Sequence, residues 1–394
     1  MFSFRHGRRQ GLALTVAAFM VAGLGASAQG AVSAPGESPR PLLPEATSSS
    51  ADLTKTAAKF RKGKGEEATE RALKKFWSSE RMRSALPADQ LPGLAEAGST
   101  QEGLSKAQLD AVEQGRKPAN PQPGMHNKAK SLRVDKGRSA PPQAPAAGSK
   151  LAADSGTGTA QDRQPRAWEP ANAQLAATSG KVFFTDTTNN LNYVCSGTVV
   201  NSEGRNIVWT AGHCVHGGAG QNWHANWVFV PAYYYGTAPY GFWSARELWS
   251  LEAWTNSTDF SNDLGAAVLF QNDGLSIVDR VGAQGIAWGY SKDYEANAFG
   301  YPAAPPFDGG KLLGCSGVTA PEWVFGPWSA NTLKLPCDMT GGSSGGAWLR
   351  WFDGNTGLGW INGLNSYGYE GDPHMYSPYF SSNAEALYNA VRYL

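Results

Sequence analysis

The stretch that decides the fold runs Cys337-Asp-Met-Thr-Gly-Gly-Ser-Ser-Gly-Gly-Ala-Trp348. A serine nucleophile needs an exposed hydroxyl and main-chain N–H groups that converge on a developing oxyanion. Glycines on both sides of the two serines let the backbone turn tightly enough to supply those groups. We therefore predict that Ser344 is a nucleophile and that the N–H groups of Gly342 and Ser344 form an oxyanion hole. Taken alone, the stretch also fits a flexible glycine–serine loop.

A histidine and an aspartate occupy suitable positions upstream. His213 follows a β-type run in Thr210-Ala-Gly-His-Cys214, where small neighbours would hold it as a fixed general base. Asp263 opens an apolar run, and a carboxylate there needs a hydrogen-bonded partner, which the imidazole N–H of His213 would supply. A zinc site on His213, Cys214 and His216 is disfavoured because no second Cys/His pair follows at ligand spacing. We expect no metal and no cofactor.

In order and spacing, the three motifs resemble those of the chymotrypsin/trypsin family. His213, Asp263 and Ser344 follow one another at gaps of 50 and 81 residues. Gly300-Tyr-Pro302 and the Thr-Gly-Gly before the serines are closer to the bacterial glutamyl-endopeptidase branch than to digestive trypsins. The resemblance covers roughly residues 178–394. It implies an all-β fold of two antiparallel six-stranded β-barrels, with the triad between them.

The resemblance also implies an activity. Ser344 would attack a peptide carbonyl to form an acyl-enzyme, His213 would carry the proton, and Asp263 would fix the imidazole's tautomer. The expected reaction is therefore endopeptidase hydrolysis of protein or peptide substrates. Ser343 stands where animal enzymes have an aspartate that pairs with a new N-terminal ammonium, so activation by such an ion pair is not expected.

Substrate contacts follow from the same resemblance. The segment Asn365-Ser366-Tyr367-Gly368 looks like the edge strand that pairs with the substrate main chain, and Ser366, Tyr367 and Gly368 are the expected substrate contacts. Asp338 lies six residues before Ser344, where trypsins keep the acid that binds Arg or Lys. Asn365 and Ser366 stand where glutamyl endopeptidases have a histidine near the edge strand that recognises the substrate carboxylate, which argues against strict cleavage after Glu. The residue preference at the scissile bond stays open.

Four cysteines, Cys195, Cys214, Cys315 and Cys337, all lie in the C-terminal part of the chain. An even number in an exported protein indicates disulfides, and four cysteines allow three pairings. Sequence proximity favours Cys195–Cys214 and Cys315–Cys337. The first pair also resembles the disulfide beside the histidine in the chymotrypsin family.

The first 28 residues have the order of a secretory signal. A basic stretch, Phe4-Arg-His-Gly-Arg-Arg-Gln10, precedes the apolar Leu12–Leu24, and the small residues Ala26-Ser27-Ala28 follow. The apolar run is short for a membrane span of about 20 residues. We expect a secreted, extracellular product with no membrane span after processing. The pair of arginines leaves open whether export is general secretory or twin-arginine.

Charge and composition divide the rest of the chain at about residue 170. Residues 29–170 contain 22 Lys and Arg against 16 Asp and Glu, whereas residues 171–394 contain 9 against 17. Neither part has the concentrated basic face that nucleic-acid binding requires. Opposite signs predict mutual attraction. We interpret 29–170 as a propeptide that assists folding or blocks the cleft of the peptidase domain 171–394, and expect a monomer.

The two parts also differ in their predicted secondary structure. Residues 66–77 can form an amphipathic helix, whereas the Pro- and Ala-rich residues 116–170 predict a flexible linker in a largely disordered pro-region. Six short β-type runs follow: 181–184, 197–200, 206–210, 227–230, 264–270 and 360–364. A terminal helix is expected after Ser382 or Asn383, with Leu387, Val391 and Leu394 on one face.

Two other classes of function compete with the peptidase. Gly342-Ser-Ser-Gly-Gly346 satisfies the nucleophile elbow of α/β-hydrolase esterases, and Asp372 and His374 follow it in the right order. About 50 residues remain after the serine, however, and alternating strand–helix patterns are absent upstream. The second alternative is an inactive secreted binding protein on a peptidase scaffold; the three intact motifs argue against it.

Overall fold

The computed structural model describes residues 44–92, 94, 166–167, 173–322, 331–369 and 371–394. The predicted signal peptide and nearly all of the predicted linker lie outside these residues. Seventeen strands occur among the described residues, in chain order: β1 Ala46–Ser50, β2 Leu86–Pro87, β3 Arg166–Ala167, β4 Ser179–Asp186, β5 Leu191–Val200, β6 Ile207–Thr210, β7 Ala225–Pro231, β8 Trp243–Leu251, β9 Gly265–Leu269, β10 Gly285–Ile286, β11 Glu295–Gly300, β12 Leu313–Val318, β13 Ala320–Pro321, β14 Thr332–Pro336, β15 Ala347–Asp353, β16 Leu358–Leu364 and β17 His374–Pro378.

The helices are few and short. The described residues contain α1 Lys55–Ala58, α2 Glu66–Phe76, α3 Ser79–Arg83, α4 Ala173–Thr178, α5 Glu252–Ser257, α6 Ile277–Val281 and α7 Ser382–Val391. Both helices expected from the sequence are present, as α2 and α7. The N-cap of α7 is Ser381 rather than Ser382 or Asn383. Within the described residues, no helix is long and apolar enough to cross a membrane.

Six strands close into a barrel in the first half of the predicted peptidase domain. The order is β8-β7-β4-β5-β6-β9, and β9 pairs back onto β8, so the sheet closes on itself. All of these pairings are antiparallel. Closure removes the exposed sheet edges and leaves an interior that side chains fill. The predicted all-β fold class is confirmed.

The second half consists of two sheets. A six-stranded sheet has the order β10-β16-β15-β11-β12-β3, and a three-stranded sheet has the order β13-β14-β17. An isolated bridge between Tyr367 and Tyr376 and the disulfide Cys315–Cys337 connect elements of these sheets. This half has its own apolar core, with Leu333, Leu335 and Trp348 fully buried.

Residues 44–92 pack against the barrel and belong to the same compact unit. Strand β1 pairs antiparallel with β8, and β2 pairs parallel with β5. Helix α2 presents an apolar face to the barrel, and Phe76 and Trp77 at its C-terminal end join the core of the barrel. Residues 44–92 of the predicted pro-region are therefore ordered, and nearly all of the rest of that region lies outside the described residues.

Candidate active site

The turn that carries His213 follows directly on strand β6. Thr210 is the last residue of that strand, and Gly212–Cys214 form one turn of 3₁₀ helix. The sequence interpretation therefore placed this histidine correctly at a strand end. A disulfide between Cys195 and Cys214 connects the turn to β5. His213 is buried, with 1% of its surface exposed.

Three ring N–H groups hold this turn from outside. His224 Nε2 lies 3.0 Å from the main-chain oxygen of His213. Trp227 Nε1 donates to the oxygen of Cys214, and Trp254 Nε1 donates to the oxygen of His216, each at 2.9 Å. All three rings are buried, so these bonds are shielded from water. Sequence reasoning missed these residues because nothing local connects them to the histidine.

Asp263 lies between a 3₁₀ turn at Phe260–Asn262 and strand β9, and it is fully buried. Its Oδ2 lies 2.8 Å from Nδ1 of His213, and its Oδ1 accepts from the main-chain N–H of His213 at 2.7 Å. The carboxylate thus binds both the ring and the backbone of the same residue. Nδ1 must carry a proton in this arrangement, which leaves Nε2 as the free basic nitrogen.

Ser366 is a further partner of the same carboxylate. Its hydroxyl donates to Oδ2 of Asp263 at 2.5 Å, while its main-chain N–H donates to the oxygen of Tyr376. The sequence predicts Ser366 as a substrate contact in the edge strand, not as a partner of Asp263. No spacing in the sequence indicates this contact, because the two residues come from different halves of the domain.

Ser344 lies in the loop before strand β15, with 5% of its surface exposed. Its main-chain oxygen accepts from the N–H of Ser196 at 2.7 Å and lies 3.6 Å from Sγ of Cys214, the residue next to His213. The serine and histidine motifs are therefore neighbours. Nε2 of His213 is buried and has no hydrogen-bond partner among the described residues, so its bond to Ser344 is not formed here.

The N–H groups of Gly342 and Ser344 donate to no acceptor among the described residues. Gly342 has φ +92°, and a Cβ there would lie 2.8 Å from Cβ of Ala303. This conformation is open to glycine and strained for other residues. An oxyanion hole needs two N–H groups that are free of other acceptors, and these two meet that condition among the described residues.

Neutral side chains support this loop from inside the protein. The Asn365 side chain donates to the main-chain oxygens of Ser343 and Phe299 and accepts from Nε1 of Trp348. The Ser343 hydroxyl is buried and has no partner among the described residues. Asn365 is thereby fully occupied inside the protein and is not free to bind a substrate side chain.

Asp338 lies at the start of the same loop and is half-buried. Its Oδ1 has no hydrogen-bond partner among the described residues. Burial raises the pKa of Asp338, and the hydrogen bond from its own main-chain N–H lowers this pKa by a smaller amount. A cation placed against this carboxylate would offset the cost of its desolvation.

The predicted edge strand continues past Ser366 into a tyrosine cluster. Tyr367 stacks on Tyr376 with ring centroids 5.1 Å apart, and its hydroxyl donates to the buried Glu322. Tyr367 N–H is also directed at the oxygen of Tyr376. No hydrogen bond involving Gly368 occurs among the described residues.

Among the residues that the structure describes, one group of side chains has ligand atoms close enough to hold a metal ion. The side chains of Cys195, His213 and Cys214 have ligand atoms within 4.8 Å of one another. Both sulfurs, however, are joined in a disulfide and are not available as thiolate ligands. The second predicted disulfide, Cys315–Cys337, is also present.

Comparison with solved structures identifies the class of fold. The protease Anisep from Arthrobacter nicotinovorans is 37% identical and covers 55% of this chain and 96% of its own, with a TM-score of 0.51. The thermostable serine protease AL20 from an extremophilic microorganism is 40% identical and covers 57% of this chain and 99% of its own, again with a TM-score of 0.51. A Glu endopeptidase is also among the structural matches, at 20% identity.

The chain therefore belongs to the chymotrypsin-like serine protease family and is a serine endopeptidase by that similarity. A curated relative, the extracellular metalloprotease of Bacillus subtilis (strain 168), is 34% identical over 85 residues. That match covers 22% of this chain and 26% of the relative's length. No family model matches the chain.

Proposed function

We propose that this chain is a secreted serine endopeptidase that hydrolyses peptide bonds through His213, Asp263 and Ser344. The observation that carries the proposal is the buried Asp263 carboxylate, which accepts from Nδ1 of His213 at 2.8 Å and from its main-chain N–H at 2.7 Å. Two bonds to one residue fix both the position and the tautomer of the imidazole. Nε2 is thereby the atom left to accept a proton from a serine.

The reaction then proceeds in two halves. The Ser344 hydroxyl attacks the peptide carbonyl as Nε2 of His213 takes its proton, and the N–H groups of Gly342 and Ser344 stabilise the oxyanion. His213 returns that proton to the leaving amine, which completes the acyl-enzyme. Water attacks the ester in the second half, with the same histidine first as base and then as acid. Asp263 stabilises the imidazolium at each stage.

The half-buried carboxylate of Asp338 supports a preference for a basic residue before the scissile bond. Its Oδ1 lacks a partner among the described residues, so a substrate Arg or Lys would supply the missing charge. Asn365, in contrast, is fully occupied and offers nothing to a substrate carboxylate. We therefore propose that the enzyme cleaves after Arg or Lys.

The N-terminal part has two further proposed roles. Residues 1–28 act as the secretory signal, and the two disulfides suit the oxidising environment outside the cell. Residues 29–170 act as a propeptide, a role supported by the packing of residues 44–92 onto the barrel.

The test is labelling by a fluorophosphonate, followed by peptide mapping of the modified serine. We expect the label on Ser344, and we expect Ser344→Ala to lower kcat/KM by roughly 10⁶-fold. Ser343→Ala is the matched control, since that buried neighbour should keep both label and activity. Label on Ser343, or full activity in Ser344→Ala, would refute the proposed triad. Profiling on a peptide library tests the preference, and cleavage after acidic residues alone would exclude the role of Asp338.

A further inference from the structure

The segment Leu86–Leu91 of the N-terminal part lies along the proposed cleft. Leu86 and Pro87 pair in parallel with Tyr193 and Val194, directly before Cys195 of the disulfide that holds the histidine turn. Ala88 and Leu91 are buried in the apolar core shared with the barrel. These contacts on both sides fix the position of the residue between them, Asp89.

The Asp89 side chain lies directly against Gly341. A Cβ placed on Gly341 would come within 2.0 Å of Oδ1 and 2.1 Å of Cγ of Asp89, and its three nearest atoms all belong to this carboxyl group. Gly341 immediately precedes Gly342, whose N–H is part of the proposed oxyanion hole. The carboxylate therefore stands beside the place where a substrate carbonyl would bind.

The electrostatic surroundings connect the same carboxylate to the proposed general base. Although Asp89 as a whole residue is exposed, the protein around its carboxyl group raises the pKa of Asp89 by desolvation, and the charge of His213 acts in the opposite direction. The carboxyl group of Asp89 therefore lies within electrostatic range of the proposed general base as well as against the loop of the proposed oxyanion hole.

On the basis of the proposed function, we propose that residues 86–91 are an inhibitory segment and that Asp89 is the group that closes the cleft. The face formed by Gly341 and His213 is then an interaction surface for an acidic peptide supplied by the same chain. Because the segment is tethered, it competes with substrates at a high effective concentration. Cutting the chain between this segment and the barrel would reduce that advantage and release the enzyme.

The N-terminal part is also anchored to the barrel by residues outside the segment 86–91. Trp77 is 1% exposed, and its Nε1 donates to the main-chain oxygen of Asn226 at 2.7 Å. The Asn226 side chain bonds in turn to the main-chain N–H and the hydroxyl of Thr54, each at 2.9 Å. Docking and blocking are therefore carried by different residues, so that blocking can be removed while docking is kept.

The experiment measures the rate of fluorophosphonate labelling of the uncleaved full-length chain, read from the intact band on a gel. We expect Asp89→Ala to label at least tenfold faster than wild type. Asp89→Asn keeps the size of the side chain and should give a smaller increase, which separates charge from bulk. Asp52→Ala is the control, because this exposed acid lies in the same N-terminal part and contributes only its main-chain oxygen to the contact with Asn226.

A second variant approaches from the other side of the contact. Gly341→Ala should displace the carboxyl group of Asp89 and also speed labelling of the intact chain. For each variant, the labelling rate of the intact chain is compared with that of the same variant after processing. An unchanged rate in both intact Asp89→Ala and intact Gly341→Ala would overturn the inhibitory role. Absence of label even in the processed wild type would instead refute the proposed function, so the two failures are distinguishable.

Discussion

Replacing Asp263 by asparagine tests the proposed mechanism with almost no change in shape. In the wild type, Oδ2 accepts from Nδ1 of His213 and from the Ser366 hydroxyl, while Oδ1 accepts from the His213 main chain. Every one of these contacts needs an acceptor. An asparagine supplies one oxygen and one NH₂ group, so at least one position must present a donor to a donor.

The outcome depends on which way the amide turns. With its NH₂ group at the Oδ1 position, the amide would oppose the main-chain N–H of His213. With NH₂ at the Oδ2 position, Nδ1 of His213 must become the acceptor, and Nε2 then carries the proton. That tautomer cannot accept the proton of Ser344. We expect kcat to fall by about 10⁴-fold, the loss typical of the wrong tautomer, which corresponds to about 5 kcal/mol.

The assay is steady-state hydrolysis of a peptide ester or amide by the processed enzyme, with kcat and KM determined separately. KM should change little, because Asp263 is fully buried and does not reach the substrate. Ser366→Ala is the graded control: it removes one charge-assisted bond and should cost about tenfold. An Asp263→Asn enzyme that is folded and within tenfold of wild type in kcat would refute the assigned role of the carboxylate.

Two further predictions concern stability. Trp77→Ala should lower the free energy of unfolding of the full-length chain by about 3–5 kcal/mol, since it empties a buried site and removes the bond to Asn226; denaturant unfolding measures this, with the exposed Tyr393→Ala as control. Burial lowers the pKa of His216 to about 4. Because the unfolded histidine binds its proton near pH 6.5, His216 should make the free energy of unfolding fall as the pH drops from 6.5 to 4, and His216→Asn should flatten that slope. A loss below 1 kcal/mol for Trp77→Ala, or an equal slope in His216→Asn, would contradict these expectations.

The sequence predicted the elements that depend on local patterns. All six β-type runs lie largely within strands, from Lys181–Phe184 in β4 to Trp360–Leu364 in β16, because alternation and turn residues act over a few positions. Helix α2 and both disulfides follow for the same reason, since periodicity and proximity are short-range signals. The candidate site could be located to three motifs, each at the end or beginning of a strand.

The contacts that position those motifs could not be predicted. The bond from Ser366 to Asp263 joins the two halves of the predicted peptidase domain, and the ring N–H groups of His224, Trp227 and Trp254 reach the histidine turn only once the barrel has closed. Single serines, histidines and tryptophans occur throughout the chain, so nothing in their type or spacing distinguishes these four. Their roles follow from tertiary packing alone.

The N-terminal part is attached to the barrel by a different interaction from the one that the charges predict. Net charge predicted attraction between the two parts of the chain, yet no ion pair between described residues joins 44–92 to 173–394. The helix pairs of α2, such as Arg71–Glu67, are internal and exposed. Apolar burial of residues such as Phe76 and Trp77 provides the contact instead, since exposed charges are screened whereas buried area is not.

Gly341 and Gly342, the two glycines before the serines, differ in the physical reason why each position needs a glycine. From the sequence, both glycines are expected to allow a tight turn. Only Gly342 has a positive φ, whereas Gly341 has a backbone conformation open to other residues. What leaves no room for a Cβ on Gly341 is the carboxyl group of Asp89. A glycine kept for conformation would be needed in every state of the enzyme. A glycine kept for space is needed only while residues 86–91 are bound, so Gly341→Ala should disturb the uncleaved chain far more than the processed one.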